Sequence, residues 1–285
     1  MDGGVILTFF LNLSYEFTTL ALTALGLAIV FGLLGVMNMA HGEFVMIGAY
    51  SVACTEHYGW SPLLGLPIAI IVCAFLGWII ERWLIRPLYR RPFDTLLATW
   101  GVSILLREAV KAVFGSGYQN VNVALTRAVD FAGISYSAFR LMLIASVLCS
   151  LVALAVWFRR SQAGARIRAM TGNPELARAL GIDTERLASL TFITGVVLAG
   201  VSGVLLAPLV RIEPYMGLDY LLNAFFVLVV GGVGTLAGLA TGTAIVGGTQ
   251  SVIATALDQT VGYAAVLVIS IVFLWIRPHG LIIRR

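Results

Sequence analysis

The chain is written as long apolar runs separated by very short polar ones, and this pattern restricts the fold more than any other feature. Apolar segments stand at about 16–36, 44–56, 62–81, 93–113, 138–158, 187–208, 219–235, 239–256 and 261–276. An α-helix needs about 20 apolar residues to cross the hydrocarbon core of a bilayer. Of the 285 residues only 11% are charged and 60% are hydrophobic, with mean hydropathy +0.97. Soluble domains carry about 25% charged residues. Too little polar side chain is left to cover a water-facing surface. The sequence therefore predicts an all-α, polytopic transmembrane bundle of eight or nine spans, forming one transmembrane domain over residues 1–285. Val5–Leu13 is too short to cross alone and is expected to be an interfacial or tilted lead-in. It lacks the basic start and cleavage site of a signal peptide.

The basic residues give the orientation. Arg82, Arg86, Arg90, Arg91, Arg159, Arg160, Arg166, Arg168, Arg178, Arg186, Arg277, Arg284 and Arg285 make thirteen of the eighteen, and all fall in alternate loops. Loops rich in Lys and Arg stay in the cytoplasm. That rule predicts an outside N-terminus, a cytoplasmic C-terminus, outer segments at 114–137 and 209–218, and a long cytoplasmic segment at 159–186. The net charge of +4 serves this purpose and is no nucleic-acid signal. Cys54, Cys73 and Cys149 sit in apolar runs without paired spacing and read as small core residues.

Two segments carry more polarity than a lipid-facing helix needs. In Gly35–Phe44, Asn38, His41 and Glu43 fall within six residues between two apolar runs. Such groups near membrane depth must face protein or water. The segment is either a tight turn with Glu43 at a helix start, or a broken element lining a path or interface near 38–44. The second segment runs from Ala163 to Asp183. Asn173-Pro174-Glu175 has the order of a helix start, with Asn as cap and Pro in the first turn. Leu176, Ala177 and Leu180 follow as an apolar stripe, and Gly181 is a stop. The residues alone leave open a lipid-held interfacial helix and a docking helix for a cytoplasmic partner. Glycines crowd 231–248, with a GxxxG spacing at Gly238 and Gly242, which suits close helix packing. No GxxxxGK[ST], HExxH, GxSxG or Cys/His cluster occurs. His57 reads as solvated, and His279 as capping or interfacial.

Several runs together resemble the inner-membrane permeases of the hydrophobic/branched-chain amino-acid and amide uptake family of ABC importers. They are GLAIVFGLLGVMNMAHGEFVMIGAY (Gly26–Tyr50), GARIRAMTGNPELARALGIDTERLASLTF (Gly164–Phe192), GVVLAGVSGVLLAP (Gly195–Pro208), VLVVGGVGTLAGLATG (Val227–Gly242) and RPHGLI (Arg277–Ile282). The HGEF form and the chain length look like the shorter of that family's two permeases. Leu96–Gly101, Arg168–Asn173 and Leu190–Phe192 look most like the urea-type branch. The resemblance implies a non-enzymatic subunit passing urea or short amides. Branched-chain or other amino acids are the alternative substrates, and a passive channel is a further one. An intramembrane enzyme using His41 and Glu43, or a purely structural subunit, has little to support it. The resemblance also implies a companion permease, two cytoplasmic ATPases that hold ATP and Mg, and an extracytoplasmic binding protein, with no cofactor or metal in this chain.

On that reading Arg166, Arg168, Asn173, Glu175, Ala177, Leu180 and Gly181 contact an ATPase as a coupling helix. A path for a neutral, hydrogen-bonding solute is expected to use Asn38, His41, Glu43, Thr99, Trp100, Asn223 and Gln250. For each path residue, hydrogen bonding between helices is the plainer role.

Overall fold

In a computed structural model of the chain, the described residues are 3–89, 91–121, 128–131, 133–232, 234–277 and 280–281. Arg90, Arg127, Pro278, His279, Ile282, Arg284 and Arg285 lie outside them, so the roles expected of those residues are not addressed.

Each of the nine apolar runs becomes a helix, because a backbone in an apolar medium must satisfy its own hydrogen bonds. In chain order these are α1 (Gly3–Leu34), α2 (His41–His57), α3 (Gly65–Ile80), α4 (Pro92–Phe114), α5 (Ala138–Arg160), α8 (Thr184–Leu206), α9 (Met216–Gly231), α10 (Leu236–Ala256) and α11 (Gln259–Ile276). Two short helices, α6 (Gln162–Gly172) and α7 (Pro174–Ala179), lie between α5 and α8. Helix α3 continues through a π-helical turn at Glu81–Ile85 and a 3₁₀ turn at Arg86–Leu88.

Three expectations need correction. Val5–Leu13 is not a separate lead-in, because α1 runs unbroken from Gly3 to Leu34. The chain is not wholly helical. Strands β1 (Ala128–Phe131) and β2 (Ile134–Ser137) form an antiparallel hairpin between α4 and α5. Only five helical segments among the described residues are long and apolar enough to cross a membrane: Gly4–Leu34, Pro62–Leu88, Ala138–Arg160, Thr184–Leu209 and Leu236–Ala256. The expected count of eight or nine full spans is therefore not met by length and composition. Helices α2 and α9 have 17 and 16 residues, and at 1.5 Å per residue they reach about 24–26 Å, short of the ~30 Å hydrocarbon core.

The core sits where α1, α2, α3, α8 and α9 meet, and small residues make it dense. A Cβ added at Gly26 would meet the Gly195 carbonyl and His41; one at Gly48 would meet Gly200; one at Gly203 would meet Val45 and Ala49. Backbone therefore rests on backbone along the α2–α8 seam, as small-residue packing in membranes predicts. Gly195 is the midpoint of α8, so α2 starts level with the middle of α8 and runs alongside it in the same direction. Gly42 packs on Gly217, so α9 starts at that same depth and runs the other way, towards Gly32 and Gly234 at the far end of α1. The α9–α10 hairpin closes on glycine too: Gly231 abuts Gly238 and Gly242, and Gly232 and Gly234 turn the chain at φ +96° and +91°.

The two segments expected outside meet on one face. Gln119 and Ile212 exchange two backbone hydrogen bonds, 2.8 and 2.9 Å, joining the 114–137 and 209–218 loops. Cys73 is buried and Cys54 half-buried. Cys149 is exposed on α5, because it falls on that helix's outward face, and so is not the core residue its apolar neighbours suggest.

Candidate functional site: a buried ion pair at a half-helix start

Residues 35–40 leave the end of α1 without helical structure and climb to the start of α2. Gly35 makes the exit possible at φ +68°, a conformation that strains any residue with a Cβ. Asn38 closes the turn: its Oδ1 accepts from the Ala40 N–H at 3.1 Å, and its own N–H₂ has no partner although the residue is buried. Thr99 on α4 ties the segment sideways, accepting from the Met39 N–H at 3.0 Å and donating towards Met37 O at 3.4 Å. The segment is thus the broken element that the Asn-His-Glu spacing allowed, set in protein rather than in a solvated turn.

His41 is fully buried at the α1–α8 contact, with Nε2 2.9 Å from the Thr23 carbonyl oxygen. Glu43 is 1% exposed and faces the other way. Its Oε1 accepts from Ser103 Oγ at 2.8 Å and from Arg107 Nη2 at 2.6 Å, and Arg107 Nη2 also donates to Ser103 Oγ at 3.0 Å. Arg107 is 11% exposed and lies 5.6 Å from the centre of the Tyr215 ring. Lys111 lies against the same ring at 5.8 Å and pairs with Glu108 at 3.3 Å. Polar groups therefore step along α4 from exposed Glu108 to Arg107 and Ser103, and from these to buried Glu43 on α2. A lone charge at this depth would be expelled or neutralised, and the pair is tolerable only because each partner compensates the other.

The remaining path candidates separate. Gln250 on α10 is buried with Oε1 unpartnered, and Asn223 on α9 is half-buried. Trp100 is 55% exposed on α4, on the side turned away from the bundle, one residue on from buried Thr99. The structure brings Asn38, Glu43 and Thr99 together around one helix start, with His41 behind them, and leaves Trp100, Asn223 and Gln250 apart. A cavity of about 170 Å³ opens beside the same segment, walled by Leu27, Phe31, Met37, Asn38, Leu221 and Phe225.

Two groups of partners escape a reading of the sequence. Ser103 and Arg107 form the first, since neither belongs to a recognisable motif. An arginine inside an apolar run is itself a signal, since it requires a buried anion. The second group surrounds Glu81, which is fully buried in the π-helical turn after α3. It accepts from Ser189 Oγ at 2.7 Å, from Tyr89 Oη at 3.2 Å and from Arg86 Nε at 3.5 Å, and Arg86 also reaches Glu185 at 3.8 Å. Burial and the Glu81 carboxylate both push the Tyr89 phenol pKa up. This cluster fastens the end of α3 to the first turns of α8.

Helix α8 follows directly on the 159–186 segment. Asn173 caps α7, its side chain accepting from the Leu176 N–H at 3.0 Å, and Gly181 leaves the helix at φ +81°. Asp183 caps α8 through the Arg186 N–H at 2.9 Å. Ala177 packs inward, but Leu176 and Leu180 are 57% and 71% exposed, so the expected apolar stripe does not lie on the bundle. Arg166, Asn173 and Glu175 are exposed, while Arg168 donates to Phe158 O and stacks on the Phe158 ring.

Short helices that start beside a buried charged pair, level with the middle of a neighbouring apolar helix, are features of a transport permease. The model of the permease component family of the branched-chain amino acid transport system matches residues 9–276, and the chain belongs to that family. The permease LivH of the high-affinity branched-chain amino acid transport system of Escherichia coli K12 is 29% identical over 282 residues, covering 93% of this chain and 91% of its own. A probable branched-chain amino acid permease LivH from Methanocaldococcus jannaschii is 30% identical, covering 92% of this chain and 88% of its own. BraD, a corresponding permease of Pseudomonas aeruginosa, is 29% identical, covering 93% of this chain and 92% of its own. In fold the chain is similar to PsaBC from Streptococcus pneumoniae in complex with Fab, with TM-score 0.53 and 13% identity over 95% of this chain and 92% of that one. The urea-type branch suggested by residues 96–101 and 168–173 gains no support, since these relatives are named for amino acid transport.

Proposed function

We propose that the chain is a permease subunit of an ATP-driven importer that passes branched-chain amino acids across the inner membrane. The observation that carries this reading is the family match over almost the whole chain, with relatives named for such transport. The chain works with a companion permease, an extracytoplasmic binding protein and two cytoplasmic ATPases, and ATP and Mg belong to those ATPases. The N-terminus lies outside and the C-terminus inside, as the arginine count requires.

Helices α6 and α7 act as the coupling segment. Supporting this, Leu176 and Leu180 present apolar surface on a capped helix whose buried residue is Ala177. Arg166, Arg168, Asn173, Glu175 and Gly181 shape or flank that surface. An ATPase that closes on ATP pulls the segment, and α8 moves with it because Asp183 joins the two. ATP then selects between two arrangements of the bundle by binding one of them better. The short helices α2 and α9 start where substrate passes, near Asn38, Glu43 and Thr99.

Uptake into liposomes that hold the complete importer tests the reading. Labelled leucine should accumulate only with ATP and loaded binding protein, and urea should not. Urea accumulation without leucine accumulation would replace the substrate, and leakage of either without ATP would replace the importer with a channel.

A further inference from the structure

We propose that Glu43 and Arg107, held by Ser103, form a mid-membrane docking point for the charged end of an α-amino acid zwitterion. The inference rests on the amino acid reading above and names the side chains that meet the part common to all amino acids.

The argument begins with what the pair leaves open. A carboxylate and a guanidinium can join through two parallel hydrogen bonds. Here they join through one, Arg107 Nη2 to Glu43 Oε1 at 2.6 Å. Glu43 Oε2 and Arg107 Nε are both buried, and neither has a hydrogen-bond partner. Buried polar atoms in native structures are almost always satisfied, and charged ones most strictly, so two open positions on one pair call for a partner. The partner must offer a donor to a carboxylate oxygen and an acceptor to a guanidinium N–H. An ammonium group is donor only, and a carboxylate is acceptor only. A zwitterion carries both and so is complementary to the open pair. A neutral amide offers a weaker match, and a simple acid or amine fills one position alone.

The surroundings fit such a ligand. Ser103 Oγ donates to Glu43 and accepts from Arg107, which fixes the spacing of the two charges. Beside Glu43 Oε2 stands Gly217, where a Cβ would lie 2.8 Å from that oxygen, so any side chain larger than glycine's would crowd it. Glycine 42 faces the same spot across the contact between α2 and α9. Tyr215 lies over Arg107 and reaches Lys111 at 3.4 Å, and Lys111 holds Glu108. These alternating charges lead from the exposed end of α4 to the buried pair. An amino acid arriving from that end exchanges one set of charged partners for the next and never meets hydrocarbon with its charges bare.

The test uses the complete importer in lipid nanodiscs, without binding protein. Labelled leucine is bound, then displaced by leucine, by 4-methylpentanoate, which lacks the ammonium group, or by 3-methylbutylamine, which lacks the carboxylate. With the wild-type complex only leucine should displace. Glu43→Gln removes the ammonium partner, so discrimination against 4-methylpentanoate should fall at least about tenfold, and Arg107→Gln should do the same for 3-methylbutylamine. A pair that merely pins α2 to α4 would lower binding in both variants without these opposite shifts in preference, and that result overturns the proposal.

Should a single variant fail to assemble, Glu43→Gln/Arg107→Gln keeps two amides that can bond to each other. Leucine binding to that double variant within about twofold of wild type overturns the proposal, and a loss of about tenfold or more with the ATPases still co-purifying supports it. A wild-type importer that transports leucine but binds none in nanodiscs also overturns it. A wild-type importer that takes up urea and not leucine removes the amino acid reading itself. Leucine uptake by the wild type with unaltered binding in the variants removes the docking point alone.

Discussion

Adding one methyl group at Gly48 should separate the two central helices. The built Cβ falls on the carbonyl oxygen, carbonyl carbon and Cα of Gly200, all backbone atoms of α8. No rotamer change can clear them, and the overlap with the oxygen is roughly an ångström or more inside ordinary contact. The α2–α8 seam must open by about that amount or the backbone must bend, and overpacking of this kind costs about 1–3 kcal/mol. Opposed to it is the gain from replacing glycine by alanine within a helix, up to ~1 kcal/mol. The net effect of Gly48→Ala is therefore destabilisation by roughly 1–2 kcal/mol. Gly101→Ala supplies the control. It lies within α4, and nothing lies within 4 Å of its built Cβ. It should gain the helix term alone and be stabilised by about 0.5–1 kcal/mol. The assay is the fraction of monodisperse protein left after heating in detergent, measured by size exclusion at matched protein concentration. The expected order is Gly101→Ala above wild type above Gly48→Ala. If Gly48→Ala is as stable as Gly101→Ala, α2 and α8 do not meet backbone to backbone, and the depth assigned to the start of α2 falls with that contact.

Three further outcomes follow from the same geometry. Glu43→Leu should lower uptake far more than Glu56→Leu at equal membrane abundance, because it strands Arg107 in a buried site at a cost of about 3–5 kcal/mol; equal and near-normal uptake by both would make the pair dispensable. Ala177→Asp should uncouple ATP hydrolysis from uptake or block co-purification of the ATPases, since Ala177 is the inward residue of α7; normal transport would return α7 to the role of a lipid-held helix. Cysteines at Arg178 and Gln119 should react with an impermeant thiol reagent from opposite sides of the membrane, and labelling of both from one side would refute the orientation.

The apolar runs of this chain determine by themselves that it forms helices in a membrane, because lipid offers the backbone no partner and the length of each run shows where a helix lies. Local chemistry was legible in the same way. Asn173 caps α7 and Gly181 ends it through contacts within a few residues, so nothing distant was needed to read them. The spacing of Asn38, His41 and Glu43 showed that 38–44 needed partners. Only the tertiary structure decided which partners. Glu43 meets Ser103 and Arg107, 60 and 64 residues away, and Glu81 meets Ser189 across 108. Such pairings depend on which faces of which helices are turned together, and hydropathy is blind to that once every face is apolar. The same limit explains Trp100, which stands beside buried Thr99 in the chain and yet points outward, because consecutive helical residues differ by about 100° in direction. It explains the depth of α2 as well. Seventeen residues between two turns read as a short span. That they begin level with the middle of α8 follows from the glycines at 26, 42, 48, 195, 200, 203 and 217, where backbones approach because no side chain keeps them apart.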